Sequence, residues 1–328
     1  KPACGAKRYK FNAELNMNTT IKVISLNQYS TVCVSGSDAK TFLQNQLTSD
    51  ILKLQPMSAG YTGHCSIKGR LLTSAIVCNI NNDDHYLLIL PKAMAENFIN
   101  RLKRYVLRSD INLIDQTLTY KLTGVIYESN NQSMYRGIDL RSIPLFGLLE
   151  SEDDIFLQLP ENRVLELSKR KTMKSDQKEP NQLNFKLGSI DDWNLGNVRA
   201  GIVEIVPELE DQFLPQSIYF QKYNGVSFEK GCFPGQEIVA RAHYLGNIKR
   251  RLFRASATAC CMIGDVVIDS TTEKKVGIVT TVGKKTKTEF EMLIVISTSE
   301  SGKKLCVVLN TGVPHPIKSI FEYAKIAD

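Results

Sequence analysis

Eight consecutive residues, Lys230-Gly231-Cys232-Phe233-Pro234-Gly235-Gln236-Glu237, constrain this chain more than any other stretch. Two glycines and a proline in so short a space force a sharp turn, because glycine reaches positive φ freely and proline fixes its own φ. Pro234-Gly235 is a strong turn signal, and Gly231 reads as a place where the backbone approaches a neighbour closely. The residues that follow, Glu237-Ile238-Val239-Ala240-Arg241, have the pattern of a regular element with one apolar face. A cysteine alone reads as a small buried hydrophobe. With Lys230, Arg241 and the N–H groups of a helix start close by, Cys232 reads instead as a thiol whose thiolate is favoured.

The 328 residues leave room for two or three domains, and 43% apolar with 23% charged residues is the make-up of an ordinary globular protein. A net charge of +7 suits anionic ligands or RNA, and equally a chain that is merely rich in lysine. The eight cysteines (Cys4, Cys33, Cys65, Cys78, Cys232, Cys260, Cys261, Cys306) form no pairs at zinc spacing, and the four histidines complete no cluster. No metal site is expected, and reduced thiols in a cytoplasmic setting are. Cys33, Cys78 and Cys306 lie in apolar runs and read as core. No apolar run is long enough to span a membrane. Lys1–Asn16 has no continuous apolar stretch, and residues 1–16 read as a disordered N-terminal extension ahead of Met17.

Along the chain, Val23–Leu26 and Thr31–Val34 read as short strands. Ser35-Gly36-Ser37 offers an N-cap to a helix over Asp38–Leu47, with Ala39, Phe42, Leu43 and Leu47 on one face. Gly60–Ser66, Leu71–Asn79 and Tyr86–Leu90 follow as strands, joined by turns at Lys68-Gly69 and Asn81-Asn82-Asp83-Asp84. Pro91 then opens a helix expected over Lys92–Arg108. One face of that helix carries Met94, Phe98, Leu102, Tyr105 and Val106; Arg101, Lys103, Arg104 and Arg108 lie off it. The basic face is solvated, or it meets RNA or an acidic partner. Leu118–Tyr127 is a further strand, and the whole alternation predicts α+β layers. Ser168–Asn184 has little to bury and is expected to be a mobile loop. Beyond Arg251, the runs Leu252–Ala257, Val266–Ser270, Val276–Val282, Met292–Val295 and Cys306–Asn310, separated by glycine and lysine turns, predict a small antiparallel barrel.

The octet is similar to the signature K-G-C-[aromatic]-x-G-Q-E of the YgfZ family, folate-binding proteins related to the aminomethyltransferase (T-protein) of the glycine cleavage system. Further stretches resemble family motifs in the same order: Phe42–Asp50, Lys68-Gly69-Arg70, Phe213-Leu214-Pro215-Gln216, Gly225-Val226-Ser227-Phe228 and Ile238–Ala242 with Lys249-Arg250. The resemblance implies an α+β fold of two interleaved subdomains over residues 17–245, followed by an antiparallel β-barrel over 246–328. It implies tetrahydrofolate, or a one-carbon derivative, bound between the subdomains with Trp193 and Tyr29 as its aromatic contacts. It implies Cys232 as a reactive thiol, Lys230 as its activator, and Gly231, Gly235, Gln236, Glu237 and Arg241 as supports.

The function so implied is support for assembly or repair of iron–sulfur clusters in enzymes, including radical enzymes that thiomethylate tRNA. Iron–sulfur enzymes or assembly proteins are the implied partners, and direct tRNA binding is not required. Two departures stand out. Where aminomethyltransferases carry an acid after the central strand, this chain reads Leu90-Pro91-Lys92-Ala93-Met94. Where relatives place a pterin-contacting glutamate, it has Arg199, with Glu204 a few residues on. A folate-dependent one-carbon transferase is therefore the first alternative, and a non-enzymatic tRNA- or protein-binding module built on Arg101–Arg108 the second.

Overall fold

The computed structural model describes residues 21–80, 84–128, 133–170, 185–246, 248–309 and 311–323. Residues 1–16, most of the polar stretch expected as a loop, and the turn at 81–83 lie outside the described residues.

Two sheets and a barrel organise the chain. The first sheet is antiparallel, in the order Ser58–Cys65, Leu71–Asn79, His85–Pro91, Tyr29–Ser35, Asn112–Asp115. The second runs Leu148–Ser151, Asp154–Leu159, Arg163–Lys169, Tyr120–Ile126, Lys22–Ser25, Lys186–Leu187, with only the last pair parallel. Because the chain starts in the second sheet, builds the first, and returns, the two α+β subdomains are interleaved.

The apolar run Tyr86-Leu87-Leu88-Ile89-Leu90 shows how the sheets are held. With a side-chain period of two, Leu87 and Ile89 enter the core between the sheets, alongside Leu122, Leu157 and Leu165 of the second sheet. Tyr86, Leu88 and Leu90 enter the core on the opposite face, under the helices α1 (Ala39–Gln46) and α2 (Lys92–Lys103). A strand buried on both faces has no polar alternation to show.

The helix expected to reach Arg108 stops at Lys103. Arg104 closes it with 3₁₀-type bonding, and Leu107 then takes a left-handed φ of 38° that no helix continues. The barrel closes in the order Arg250–Ala257, Phe290–Ser297, Lys275–Lys284, Val266–Asp269, Leu305–Val308, Pro314–Glu322. The five expected runs are all present, and Pro314–Glu322 is a sixth strand. Its prolines pair at the ladder's end with the short strand Leu305–Val308.

Between sheets and barrel lies α3 (Ile190–Ala200), opened by a Ser189–Asp192 capping box and closed by Gly201 at φ 72°. The barrel grips this helix. A Cβ on Gly283 would fall 2.4 Å from the Leu195 backbone, and one on Gly201 would strike the Tyr323 ring. Tyr323 donates its hydroxyl to the Arg199 carbonyl at 3.0 Å, and Thr281 donates to that of Ile202 at 3.2 Å.

Candidate functional site

The octet begins with an anchor. Lys230 is 8% exposed, and its ammonium donates to the carbonyls of Gln44, Leu47 and Ser49 at 2.5, 2.6 and 2.8 Å. Those carbonyls belong to the end of α1 and the segment after it, where orphan acceptors collect. All three ammonium protons are thus used on the backbone, and none is left to bond to the Cys232 thiol. Burial pulls the Lys230 amine down to about 8, with Asp50 acting in the opposite direction. Phe233 is buried beneath the same ammonium, 5.4 Å from ring centre to Nζ. Cys232 stands between these two buried residues as an exposed free thiol.

The close approach expected of Gly231 belongs to Gly235 instead. Nothing lies within 4 Å of a Cβ placed on Gly231. Gly235 has φ 77°, and a Cβ there would come within 2.3 Å of the Ser66 carbonyl and 2.5 Å of the Gly69 nitrogen. The turn carrying Lys68-Gly69-Arg70 therefore docks backbone to backbone on the octet. Gly235 also starts α4 (Gln236–Tyr244). Gln236 donates its amide back to the Lys230 carbonyl at 3.0 Å, closing the octet on itself. Glu237 occupies the first turn of α4 and Arg241 the last, each on the side the helix dipole favours. Both side chains are exposed.

The remaining motif stretches converge here as well. Gln216 donates to the Val239 carbonyl at 2.6 Å, and the Thr48 hydroxyl donates to that of Gly225 at 2.5 Å. Gln44 accepts from Ile51 N at 2.7 Å while donating to Asp50 at 3.1 Å. Phe228 stacks on His243, with centroids 3.7 Å apart and planes 9° from parallel. Residues from position 44 to position 243 thus build one support for the thiol turn.

Tyr29 and Trp193 meet elsewhere, in the cleft between the two sheets. Trp193 donates its indole N–H to the Tyr29 oxygen at 3.3 Å, and Tyr29 donates its hydroxyl to Glu204 at 2.5 Å. Behind them lies Arg163, 1% exposed, with its guanidinium 4.7 Å from the Trp193 ring centre. Arg163 donates to the carbonyls of Pro160 and Trp193, both at 3.0 Å, and to the Asn197 side chain at 2.7 Å. Gly196 makes room for it, since a Cβ there would sit 2.6 Å from the Arg163 side chain. Gly124 does the same for the indole, at 2.7 Å.

Glu204 keeps part of its surface open to the cleft while protein surrounds its carboxyl group. Burial raises its pKa above the usual carboxylate range, opposed by the Tyr29 hydrogen bond, the Arg163 charge and Asn197. Burial, and then the Glu204 charge, push the Tyr29 phenol well up, so it stays a donor. This acid is what the sequence reading left unassigned. Arg199, by contrast, faces the barrel, 3.9 Å from Glu291. Arg163 was missed altogether.

Free space beside Trp193 amounts to about 20 Å³, room for one water. Tyr61 separates it from a second cavity of about 400 Å³, which it lines with Phe146, Tyr223, Asp50 and Ser227. Tyr61, Phe146 and Tyr223 form an aromatic trio with centroids 5.6 to 5.8 Å apart. That second cavity reaches toward the octet through Ser227 and Glu229.

No protein-family model matches the chain. It is 29% identical over 249 residues to the tRNA-modifying protein YgfZ of Aliivibrio fischeri, covering 74% of each chain. It is 28% identical over 231 residues to an uncharacterized protein of Haemophilus influenzae, covering 70% of this chain and 71% of that one. Among solved structures, the glycine cleavage system aminomethyltransferase T from Bartonella henselae matches with a TM-score of 0.71 at 12% identity. The match covers 93% of this chain and 86% of that one, and it shows a shared fold. Among the described residues no helix is long and apolar enough to cross a membrane.

Proposed function

The chain is a relative of the YgfZ proteins built on the aminomethyltransferase fold, and from that premise we propose a tetrahydrofolate-binding protein that supports iron–sulfur enzymes through Cys232. Its clients are enzymes whose clusters need assembly or repair, among them radical enzymes that thiomethylate tRNA. The observation that carries the reading is the Trp193–Tyr29–Glu204 chain, backed by Arg163, on the wall of the inter-sheet cleft.

The donor set suits a pterin. A planar ring with a hydrogen-bonding edge needs an aromatic wall and a fixed polar partner, and here Trp193, Tyr29 and the carboxyl of Glu204 supply them. The gap beside Trp193 is smaller than such a ring, and Tyr61, which lines both this gap and the cavity of about 400 Å³, would have to move for the ring to reach Trp193. When bound, tetrahydrofolate supplies a one-carbon carrier. The chain's own residues orient it, exclude water, and hold a proton on Glu204. Cys232 remains outside, on a turn set by Lys230, Gly235 and Gln236.

Trp193 is the only tryptophan, so quenching of intrinsic fluorescence by tetrahydrofolate reads the cleft directly. Saturable quenching is expected. Affinity should fall in Trp193→Ala and Glu204→Gln when measured by calorimetry. Absence of binding at millimolar folate overturns the reading. Cys232→Ala should abolish function in cells with folate affinity retained, and equal loss of folate binding would make the thiol structural.

One observation favours the transferase alternative. Glu204 is an acid of raised pKa in the cleft, the group such an enzyme needs for proton transfer. Turnover of 5,10-methylenetetrahydrofolate with an amine, abolished in Glu204→Gln, is its signature.

A further inference from the structure

Helix α4 buries one residue of its nine, Val239. Helices of this length are normally held by packing of an apolar face, yet here a second apolar stripe faces solvent. Ile238, Ala242 and Leu245 follow at i, i+4 and i+7; Ile238 is 44% exposed and Leu245 66%. Tyr244 lies beside the stripe, 72% exposed. Ile67, on the turn that docks against α4 through Gly69 and Gly235, adds a side chain 81% exposed. Exposed aliphatic side chains gathered at one place mark an interaction surface rather than ordinary scatter.

The charges around it are mainly positive, although Asp211 bonds to Ser66 beside the Ile67 turn. Lys68 and Arg70 follow Ile67 on its turn, Arg241 sits within the stripe, and Lys249 and Arg250 follow the helix, all exposed. Glu237 is the one acid on α4. Cys232 is exposed on the turn from which the helix starts, and the space around Gly231 is open.

We infer that the outer face of α4, with the Ile67 turn, is a docking surface for a protein partner that presents an apolar groove edged by carboxylates. Ile238 and Leu245 enter the groove, the cations meet its rim, and Cys232 is brought against the partner. The exposed aliphatic side chains Ile67, Ile238 and Leu245, which offer no flat face for a base to stack on, favour protein over nucleic acid, although Tyr244 stands beside them. The inference extends the reading of Cys232 and is independent of folate.

The test places p-benzoylphenylalanine at Tyr244 in the full chain, crosslinks in cells, identifies the adduct, and titrates the purified captured protein against wild type and variants. The expected result is one protein, crosslinked at a groove bordered by Asp and Glu. Its affinity should fall about tenfold or more in Ile238→Glu and in Arg241→Glu, and should weaken with salt. Folate binding should be unchanged in both variants, and melting temperature should fall only slightly in Arg241→Glu, where a charge is reversed at the end of α4, which separates this result from failure of the cleft reading. Adducts to RNA alone, to a second copy of this chain alone, or no adduct would overturn the proposal. So would a captured protein that binds both variants as it binds wild type.

Discussion

The inter-sheet cleft and the thiol turn solve opposite problems. In the cleft, residues from positions 29, 163, 193 and 204 are brought together, three of them buried and Glu204 partly open, and hydrogen bonds and a stacked guanidinium link them. Their protonation is set by what surrounds them. In the turn, eight adjacent residues bury two side chains, Lys230 and Phe233, so that the one between them can stay in solvent. Burial in the first region tunes chemistry. In the second it lowers the pKa of the Lys230 amine and fixes the turn that presents the exposed Cys232 thiol, with Lys230 bonded to backbone carbonyls.

Substitutions can break that contrast, and the largest effect is expected at Gly235. Gly235→Ala forces a Cβ into the Ser66 and Gly69 backbone at positive φ, and should cost about 3 kcal/mol or more in urea unfolding. A cost under about 1 kcal/mol would mean the two turns are free to separate.

An intermediate effect is expected at Glu204, and it depends on pH. A carboxyl whose pKa is raised by folding contributes its stability fully below the unfolded pKa, and loses it as pH rises through the folded one. Wild type should therefore lose melting temperature relative to Glu204→Gln as pH climbs out of the ordinary carboxylate range toward neutrality. Parallel curves across that window would refute burial as the cause of the shift. The smallest effect is expected at Gly231, where a methyl group meets open space. Gly231→Ala should alter stability by less than about 0.5 kcal/mol, and any loss of cellular function would then report on access to Cys232.

The same contrast governs what could be read from sequence. The octet was legible because its parts are contiguous, although the close-packed glycine proved to be Gly235 and not Gly231. The two-faced strand at His85–Pro91 was legible from its unbroken apolar run. Arg163 was not, since an arginine in a strand normally signals solvent, and only Gly196, thirty-three positions later, makes space for it. Glu204 stood in plain view beside Arg199. Nothing local tells that one side chain faces Tyr29 and the other the barrel. The strands between Leu148 and Lys169 escaped because their turns use Glu152, Glu161 and Asn162 at positive φ, where glycine would have announced them.

Tyr323, from just past the last barrel strand, rests on the glycine that ends α3, and α3 carries Trp193. Occupancy at one end of that helix is therefore expected to tighten the other. A molecule held against Trp193 would slow hydrogen exchange in the Pro314–Glu322 strand, although the two share no contact. Trimming the chain before Tyr323 would make the cleft bind as a looser receptor. The barrel is then a reporter of the cleft, read through a single helix.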